Sequence, residues 1–261
     1  MSSFSLSTHN TSIHYGPIIG YLVVYGIPVL VVSILFGKQL FSRACKNNKD
    51  AAKFGLGLFG VLTVVGLFLS IIVLAILLHF DPHAINLLNK PNPVLNVPSN
   101  VAWVMIPVSI LVVGPVEEYL FRGFINGGLL SMSKGKNWVL LAVVSSVMFA
   151  SVHAYYAVTY GVASILVFVS LITLGLAMSI TYYWSGGNIL GPALIHGVYD
   201  ATAFLGVATS IQIGAAARLV MMFVGIGFAV MYLPQKIGLR QAPNPSVPVK
   251  LPETHLPPNA S

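Results

Sequence analysis

The chain has 261 residues, of which 56% are hydrophobic and only 7% are charged, and its mean hydropathy is +0.87. Soluble domains carry about 25% charged residues, so this composition excludes an ordinary soluble globular protein. The net charge of +7 lies in clusters between apolar runs, a distribution that does not indicate nucleic-acid binding. The single cysteine, Cys45, excludes an internal disulfide and a cysteine-cluster metal site.

Several apolar runs approach the about 20 residues that cross a bilayer, so the sequence predicts an all-α, polytopic membrane bundle. After a polar leader, we expect seven transmembrane helices, over residues 17–36, 54–78, 101–130, 138–156, 159–184, 189–207 and 214–233. The third is too long for one simple span, and we expect it to break near Arg122-Gly123 or Asn126-Gly127-Gly128. The proline-rich stretch after Pro234 is predicted to be a disordered tail.

Basic residues cluster in three segments that the predicted helices separate. The first segment is a loop with Lys38, Arg43, Lys46, Lys49 and Lys53, the second a loop with Lys134 and Lys136, and the third the tail with Lys236, Arg240 and Lys250. Seven spans would put all three on the same side of the membrane, and the positive-inside rule makes that side cytoplasmic. We therefore expect an N-terminus outside and a cytoplasmic C-terminus.

Three of the six acidic residues, Glu117, Glu118 and Asp200, lie within apolar segments. A charge at the bilayer centre costs about 2.5–3.5 kcal/mol on insertion scales, so such residues usually face a functional cavity. Glu118 and Arg122 are spaced i, i+4 with the acid first, the better orientation for an ion pair. Glu117 is rotated about 100° from Glu118 on a helix and need not share that partner. One glutamate can therefore be structural while the other is free for proton transfer.

Two histidines also fall in predicted spans, in the patterns Phe149-x-x-x-His153 and His196-x-x-x-Asp200. The i, i+4 spacing puts His196 and Asp200 on one helical face, where the carboxylate could orient the ring, join it in binding a metal, or form a structural hydrogen bond. Counted along straight helices, His196 lies about 10 Å from the cytoplasmic side and His153 about 22 Å from it. The two rings can meet only if the fourth helix tilts strongly or begins well inside the cytoplasm.

Together, Glu117-Glu118-x-x-x-Arg122, Phe149-x-x-x-His153 and His196-x-x-x-Asp200 resemble the ordered motifs of the CAAX prenyl protease and bacteriocin-processing family, also called CPBP or Abi. That family consists of multi-span intramembrane endopeptidases. The resemblance divides the chain into a leader with two helices over 1–97, a protease core over 98–205, a last helix over 206–233 and a tail over 234–261.

Carried onto this sequence, the resemblance implies that Glu117 and His153 activate the hydrolytic water. His196 and Asp200 would stabilise the tetrahedral intermediate or bind a metal, with Glu118, Arg122 and Phe149 in supporting positions. Relatives carry Asn or Asp at the last motif position. An ionised Asp200 cannot donate a hydrogen bond, so it would act as a ring orienter, a metal ligand or a protonated acid.

The resemblance leaves the cofactor open between none and zinc. Catalytic zinc takes three protein ligands and an open position, which His153, His196 and one carboxylate, Glu117 or Asp200, could supply. Metal-independent glutamate chemistry is the version we expect, with Glu117 as base.

The expected substrate is a membrane-associated peptide or protein, either of CAAX type or a bacteriocin-like peptide, cleaved in the lipid bilayer of a prokaryotic cell with no nucleic-acid partner. Two other functions are compatible with the sequence. One is a non-catalytic self-immunity or scaffold protein of the same family. The other is a proton-coupled transporter, because intramembrane carboxylates and histidines also build proton relays.

Overall fold

In the computed structural model, which describes residues 22–44 and 48–239, the chain is all-helical and these residues contain no β-strand. The helices are α1 (Ile27–Ala44), α2 (Asn48–Phe80), α3 (Ser99–Met132), α4 (Trp138–Ser151), α5 (Tyr155–Trp184), α6 (Leu190–Ala208) and α7 (Ile211–Leu239). A π-helical turn, Leu22–Gly26, precedes α1, and a 3-10 helix, Ala84–Asn89, lies between α2 and α3. The predicted all-helical class is confirmed.

Four helices in the described part of the chain are long and apolar enough to cross a membrane, namely α2, α3, α5 and residues Ile211–Tyr232 of α7. Their outward faces expose large apolar side chains such as Ile71 and Phe223, an arrangement that would be unstable in water but suits contact with lipid. A fifth apolar helix, α4, is shorter. Membrane crossing by α1, α4 and α6 stays a prediction.

The expected break in α3 is wrong. The helix continues from Ser99 to Met132, and both suspected positions lie in or beside a π-helical stretch, Tyr119–Asn126. A backbone break inside a bilayer would leave N–H and C=O groups with no water to bond. The wider π turn keeps these groups bonded within the helix while it shifts the direction of the side chains.

The sequence predicts a loop for the first basic cluster, but its described residues lie in two helices. Lys38 and Arg43 lie within α1, and Lys49 and Lys53 lie in the first turns of α2. The two helices extend beyond their apolar residues because helical hydrogen bonding continues in polar surroundings. Asp50 in the first turn of α2 also favours that helix start through the helix dipole.

The tail begins later than predicted, because α7 continues past Pro234 to Leu239. A proline within a helix removes a single backbone donor, and the helix can continue beyond it. The remaining residues predicted to be disordered, 240–261, lie outside the described residues.

A close crossing of α3 and α6 positions the candidate site. A Cβ atom added to Gly197 would lie 2.6 Å from both Ile110 Cα and Ser109 O, and one added to Gly114 would lie 2.5 Å from Ala193 O. Only glycine permits such close backbone contact, the usual device for packing helices in membranes. The crossing brings the acidic segment of α3 beside the histidine of α6.

The other helices surround this pair. Gly60 of α2 faces Gly225 of α7 in a second close crossing, and α2 also packs against α5. α1 packs against the π-helical stretch of α3, where Ser33 Oγ donates to Tyr119 Oη at 3.2 Å.

Candidate active site

An ion pair joins two fully buried side chains of α3. Arg122 Nη1 donates to Glu118 Oε1 at 2.8 Å across the i, i+4 spacing, and Arg122 Nη2 donates to the carbonyl of Gly175 on α5 at 3.1 Å. The guanidinium also lies over the ring of Phe149, 4.6 Å from its centroid. Arg122 therefore links α3 to both α4 and α5 and compensates the buried charge of Glu118.

The same oxygen of Glu118 also binds the histidine of α6. His196 Nδ1 lies 2.8 Å from Glu118 Oε1, and His196 is only 3% exposed. The carboxylate paired with Arg122 is an acceptor, so the imidazole donates from Nδ1. Glu118 thereby fixes the orientation of the ring and directs its Nε2 atom away from Arg122.

His196 Nε2 faces two further carboxylates. Glu117 Oε2 lies at 3.8 Å and Asp200 Oδ2 at 3.5 Å. The i, i+4 spacing allows Asp200 to orient the ring, but the shorter contact is the hydrogen bond that Nδ1 donates to Glu118. The side chain of Asp200 is 30% exposed and that of Glu117 is 5% exposed. Glu117 Oε2 has no hydrogen-bond partner among the described residues, so it is free to accept a proton from a small ligand.

His153 joins the site through Phe149. The helix α4 ends at Ser151, and the His153 ring turns back so that Nδ1 donates to the Phe149 carbonyl at 2.9 Å. The Phe149 ring contacts both histidines, with centroid distances of 5.0 Å to His153 and 5.4 Å to His196. Depths counted along straight helices predicted that the two histidines lie apart, and Phe149, which contacts both rings, joins them. The described residues show no direct hydrogen bond from His153 to Glu117 or to His196.

Because the carbonyl of Phe149 accepts the Nδ1 proton, a neutral His153 ring carries its lone pair on Nε2. The carbonyl is available because the last carbonyls of a helix have no partner within the helix. His153 is therefore held as a hydrogen-bond acceptor beside the same aromatic ring that contacts His196.

The structure thus brings all the predicted site residues into one connected cluster, which consists of Glu117, Glu118, Arg122, Phe149, His153, His196 and Asp200. Sequence reasoning missed the Gly175 carbonyl that Arg122 bonds, and it missed Ser145, whose Oγ donates to the Phe121 carbonyl at 3.3 Å. Neither has a sequence signal, because one is a backbone atom and the other is one serine among several. Among the described residues, no group of three or more His, Cys, Asp or Glu side chains could hold a metal ion.

Chemically, the site places a buried carboxylate oxygen that has no hydrogen-bond partner among the described residues close to an imidazole whose opposite nitrogen is fixed. Such a pair can bind a water molecule, accept its proton and stabilise negative charge on a nearby oxygen. The second histidine supplies a further acceptor. These are the groups that hydrolysis of an amide bond requires.

Comparison with known proteins found one family model that matches part of the chain. Residues 98–202 match the family model described as type II CAAX prenyl endopeptidase Rce1-like, and this segment includes every residue of the three motifs. No protein of curated function and no solved structure matches the chain. Over residues 98–202 the chain is therefore similar to the Rce1-like type II CAAX prenyl endopeptidases, which confirms the resemblance that its motifs indicated.

Proposed function

We propose that this chain is a membrane-embedded endopeptidase that hydrolyses a peptide bond of a membrane-associated peptide or protein of CAAX type. One observation carries the proposal most strongly. The buried Oε2 of Glu117, which has no hydrogen-bond partner among the described residues, lies 3.8 Å from the Nε2 atom of an imidazole that Glu118 holds from its other side. The family match over residues 98–202 supports the same class of activity.

In this mechanism Glu117 is the general base. The distance of 3.8 Å between Glu117 Oε2 and His196 Nε2 is too long for a direct hydrogen bond, but one water molecule can bridge groups at such a separation. Glu117 takes a proton from that water while the water oxygen bonds to the carbonyl carbon of the substrate. The same proton then passes to the nitrogen of the leaving amine as the C–N bond breaks.

His196 stabilises the oxyanion that forms on the substrate carbonyl. Since Nδ1 already donates to Glu118, donation from Nε2 requires a doubly protonated ring. Glu117, Glu118 and Asp200 surround this ring and supply compensating negative charge. The Asp200 side chain is partly exposed and lies at the open side of the ring, where it helps to hold the imidazolium.

His153 assists from the turn that follows α4. With Nδ1 bonded to the Phe149 carbonyl, its Nε2 can accept a hydrogen bond from the water or relay a proton. We derive no step through a metal ion, because the described histidine and carboxylate side chains do not form a three-ligand group. The proposal follows the metal-independent version, in which Glu117 is the base.

The experiment is a cleavage assay with the purified protein in detergent. The substrate is a fluorescent peptide that ends in a prenylated cysteine followed by three residues, and mass spectrometry identifies the new termini. We expect cleavage without any ion gradient, and the same peptide without its prenyl group serves as the matched control. Ion flux in vesicles without any cleaved product would favour the transporter instead.

A further inference from the structure

Arg218 is the only charged residue in the membrane-length segment Ile211–Tyr232 of α7, and it lies outside the segment that matches the family model. A basic residue within a membrane helix is costly unless it faces a partner or a polar cavity. The mechanism proposed above makes no use of Arg218. Its contacts show where it faces.

The tight turn between α6 and α7 fixes the position of Arg218. A Cβ atom added to Gly214 would lie 2.6 Å from Gly206 Cα and 2.8 Å from Thr202 O, so the two helices touch through backbone atoms at this point. One helical turn after Gly214, Arg218 Nε donates to Thr202 Oγ1 at 3.2 Å. The Arg218 guanidinium also lies over the ring of Tyr199, with Cζ 4.3 Å from the ring centroid.

Tyr199 and Thr202 lie within two residues of Asp200, so both contacts of the guanidinium are on the part of α6 that carries Asp200. Arg218 interacts electrostatically with Asp200, although the two do not form an ion pair within 4.0 Å in the described part of the chain. Asp200 in turn lies 3.5 Å from His196 Nε2. A polar path therefore leads from the proposed oxyanion donor to Arg218.

The guanidinium retains free donors. Arginine has five N–H groups in a planar fork, and Arg218 uses only Nε for a hydrogen bond to the described residues. Both terminal nitrogens are without a hydrogen-bond partner there, and the side chain is partly exposed. An arginine whose terminal nitrogens are free and whose planar guanidinium packs on an aromatic ring is suited to bidentate binding of a carboxylate.

We propose that Arg218 binds the terminal carboxylate of the peptide substrate and so restricts cleavage to bonds near a free carboxyl end. This proposal rests on the endopeptidase function proposed above. Thr202, which Arg218 contacts, is six residues from His196 along α6, a rise of about 9 Å. Three residues of extended chain span about 10 Å, so a carboxylate bound at Arg218 would place a bond three residues from the end beside His196.

A purely structural role for Arg218 is the rival explanation. In that case the guanidinium would only compensate the charge of Asp200, and its loss would lower activity on every substrate equally. Recognition of a terminal carboxylate instead requires that the effect depend on the carboxyl end of the peptide. Two peptides that differ only at that end separate the two roles.

The experiment compares kcat/KM for one prenylated peptide with a free carboxylate and for the same peptide with a terminal amide. We expect the wild-type protein to prefer the acid by about 10–100-fold, the value of a charge-assisted hydrogen-bonded pair. In Arg218→Gln the ratio of kcat/KM for the acid to kcat/KM for the amide should fall towards one. Arg218→Lys should retain part of the preference for the acid because the charge remains. Equal losses on both peptides, or a wild-type ratio near one, would overturn the proposal.

Binding of the same two labelled peptides, measured by fluorescence anisotropy, separates this proposal from the endopeptidase function. If the wild-type protein cleaves neither peptide, the proposed function fails. Tighter binding of the acid that is lost in Arg218→Gln would then still support the carboxylate site, and equal binding of both peptides would refute it.

Discussion

Glu118 and His196 are joined by a 2.8 Å hydrogen bond although 78 residues separate them along the chain. The same carboxylate oxygen accepts a hydrogen bond from Arg122 at 2.8 Å. Glu118 is therefore the common acceptor for a cation of its own helix and for the imidazole of α6. The two neighbouring glutamates differ in environment, because Glu118 accepts two hydrogen bonds through Oε1, whereas Glu117 makes none with the described residues. The Oε2 atom of each glutamate is buried without a hydrogen-bond partner there.

Arg122→Ala should lower the yield of folded protein. The change leaves the fully buried Glu118 without its cation and also removes the bond to the Gly175 carbonyl. Removal of one partner of a buried ion pair typically costs about 3–5 kcal/mol. Thermal unfolding in detergent measures the effect, with Lys136→Ala at an exposed position as the control. An unchanged unfolding temperature in Arg122→Ala would show that the pair does not stabilise the fold.

Asp200→Asn should retain activity within about tenfold of the wild-type protein, because the ring of His196 is held by Glu118 and a single polar contact contributes about 1 kcal/mol. Asparagine keeps the size and hydrogen-bonding capacity of the aspartate. The measurement is kcat/KM for both proteins, with and without a chelator, and the chelator should have little effect on either. If Asp200 were a metal ligand, the variant would lose about 10–100-fold or more in metal affinity. Lost activity that added zinc restores would contradict the metal-independent mechanism.

Gly197→Ala should destabilise the protein and lower its activity. The added methyl group would lie 2.6 Å from backbone atoms of α3, which must move away and carry Glu117 and Glu118 with them. Overpacking of this kind typically costs about 1–3 kcal/mol. Gly227→Ala on α7 is the matched control, because a Cβ atom there meets nothing within 4 Å. Comparable behaviour of the two variants in thermal unfolding and in cleavage would show that the α3–α6 crossing is not tight.

Much of the fold and the site composition could be predicted from the sequence, since apolar runs and i, i+4 spacings are local patterns. The pairing of Glu118 with Arg122 is visible in this way. The bond from Glu118 to His196 is not, because it depends on how closely α3 and α6 cross. The glycines that permit this crossing, Gly114 and Gly197, do not differ in sequence from glycines that face open space.

Helix ends were predicted less well, for two physical reasons. Hydropathy predicts only the lipid-facing part of a helix. The backbone hydrogen bonds of α1 and α7 continue beyond that part, into polar residues. Glycines in α3 suggested a break, but the bilayer favours a continuous π-helical stretch over an interrupted backbone.

The predicted orientation in the membrane can be tested with reporter fusions. Fusions after Lys49 and after Lys134 should both report the cytoplasm, because the positive-inside rule places these basic segments on that side. A fusion after Asn92, between α2 and α3, is the control and should report the opposite side. If the fusion after Asn92 reported the cytoplasm and the fusion after Lys49 reported the outside, the protein would have the opposite orientation to the predicted one. If the fusions after Lys49 and Lys134 reported different sides, the predicted number of spans between them would be wrong.

Cleavage by Glu117→Gln tests the central claim most directly. Glutamine keeps the shape of the side chain but cannot accept the proton of the attacking water, so the variant should fold normally and lose about 10²–10⁴-fold in kcat. The measurement is single-turnover cleavage of the prenylated peptide, with unfolding temperature and peptide binding determined on the same preparations. We predict unchanged folding and binding with cleavage reduced to that degree. Near-normal cleavage by a folded Glu117→Gln protein would contradict the assignment of Glu117 as the catalytic base.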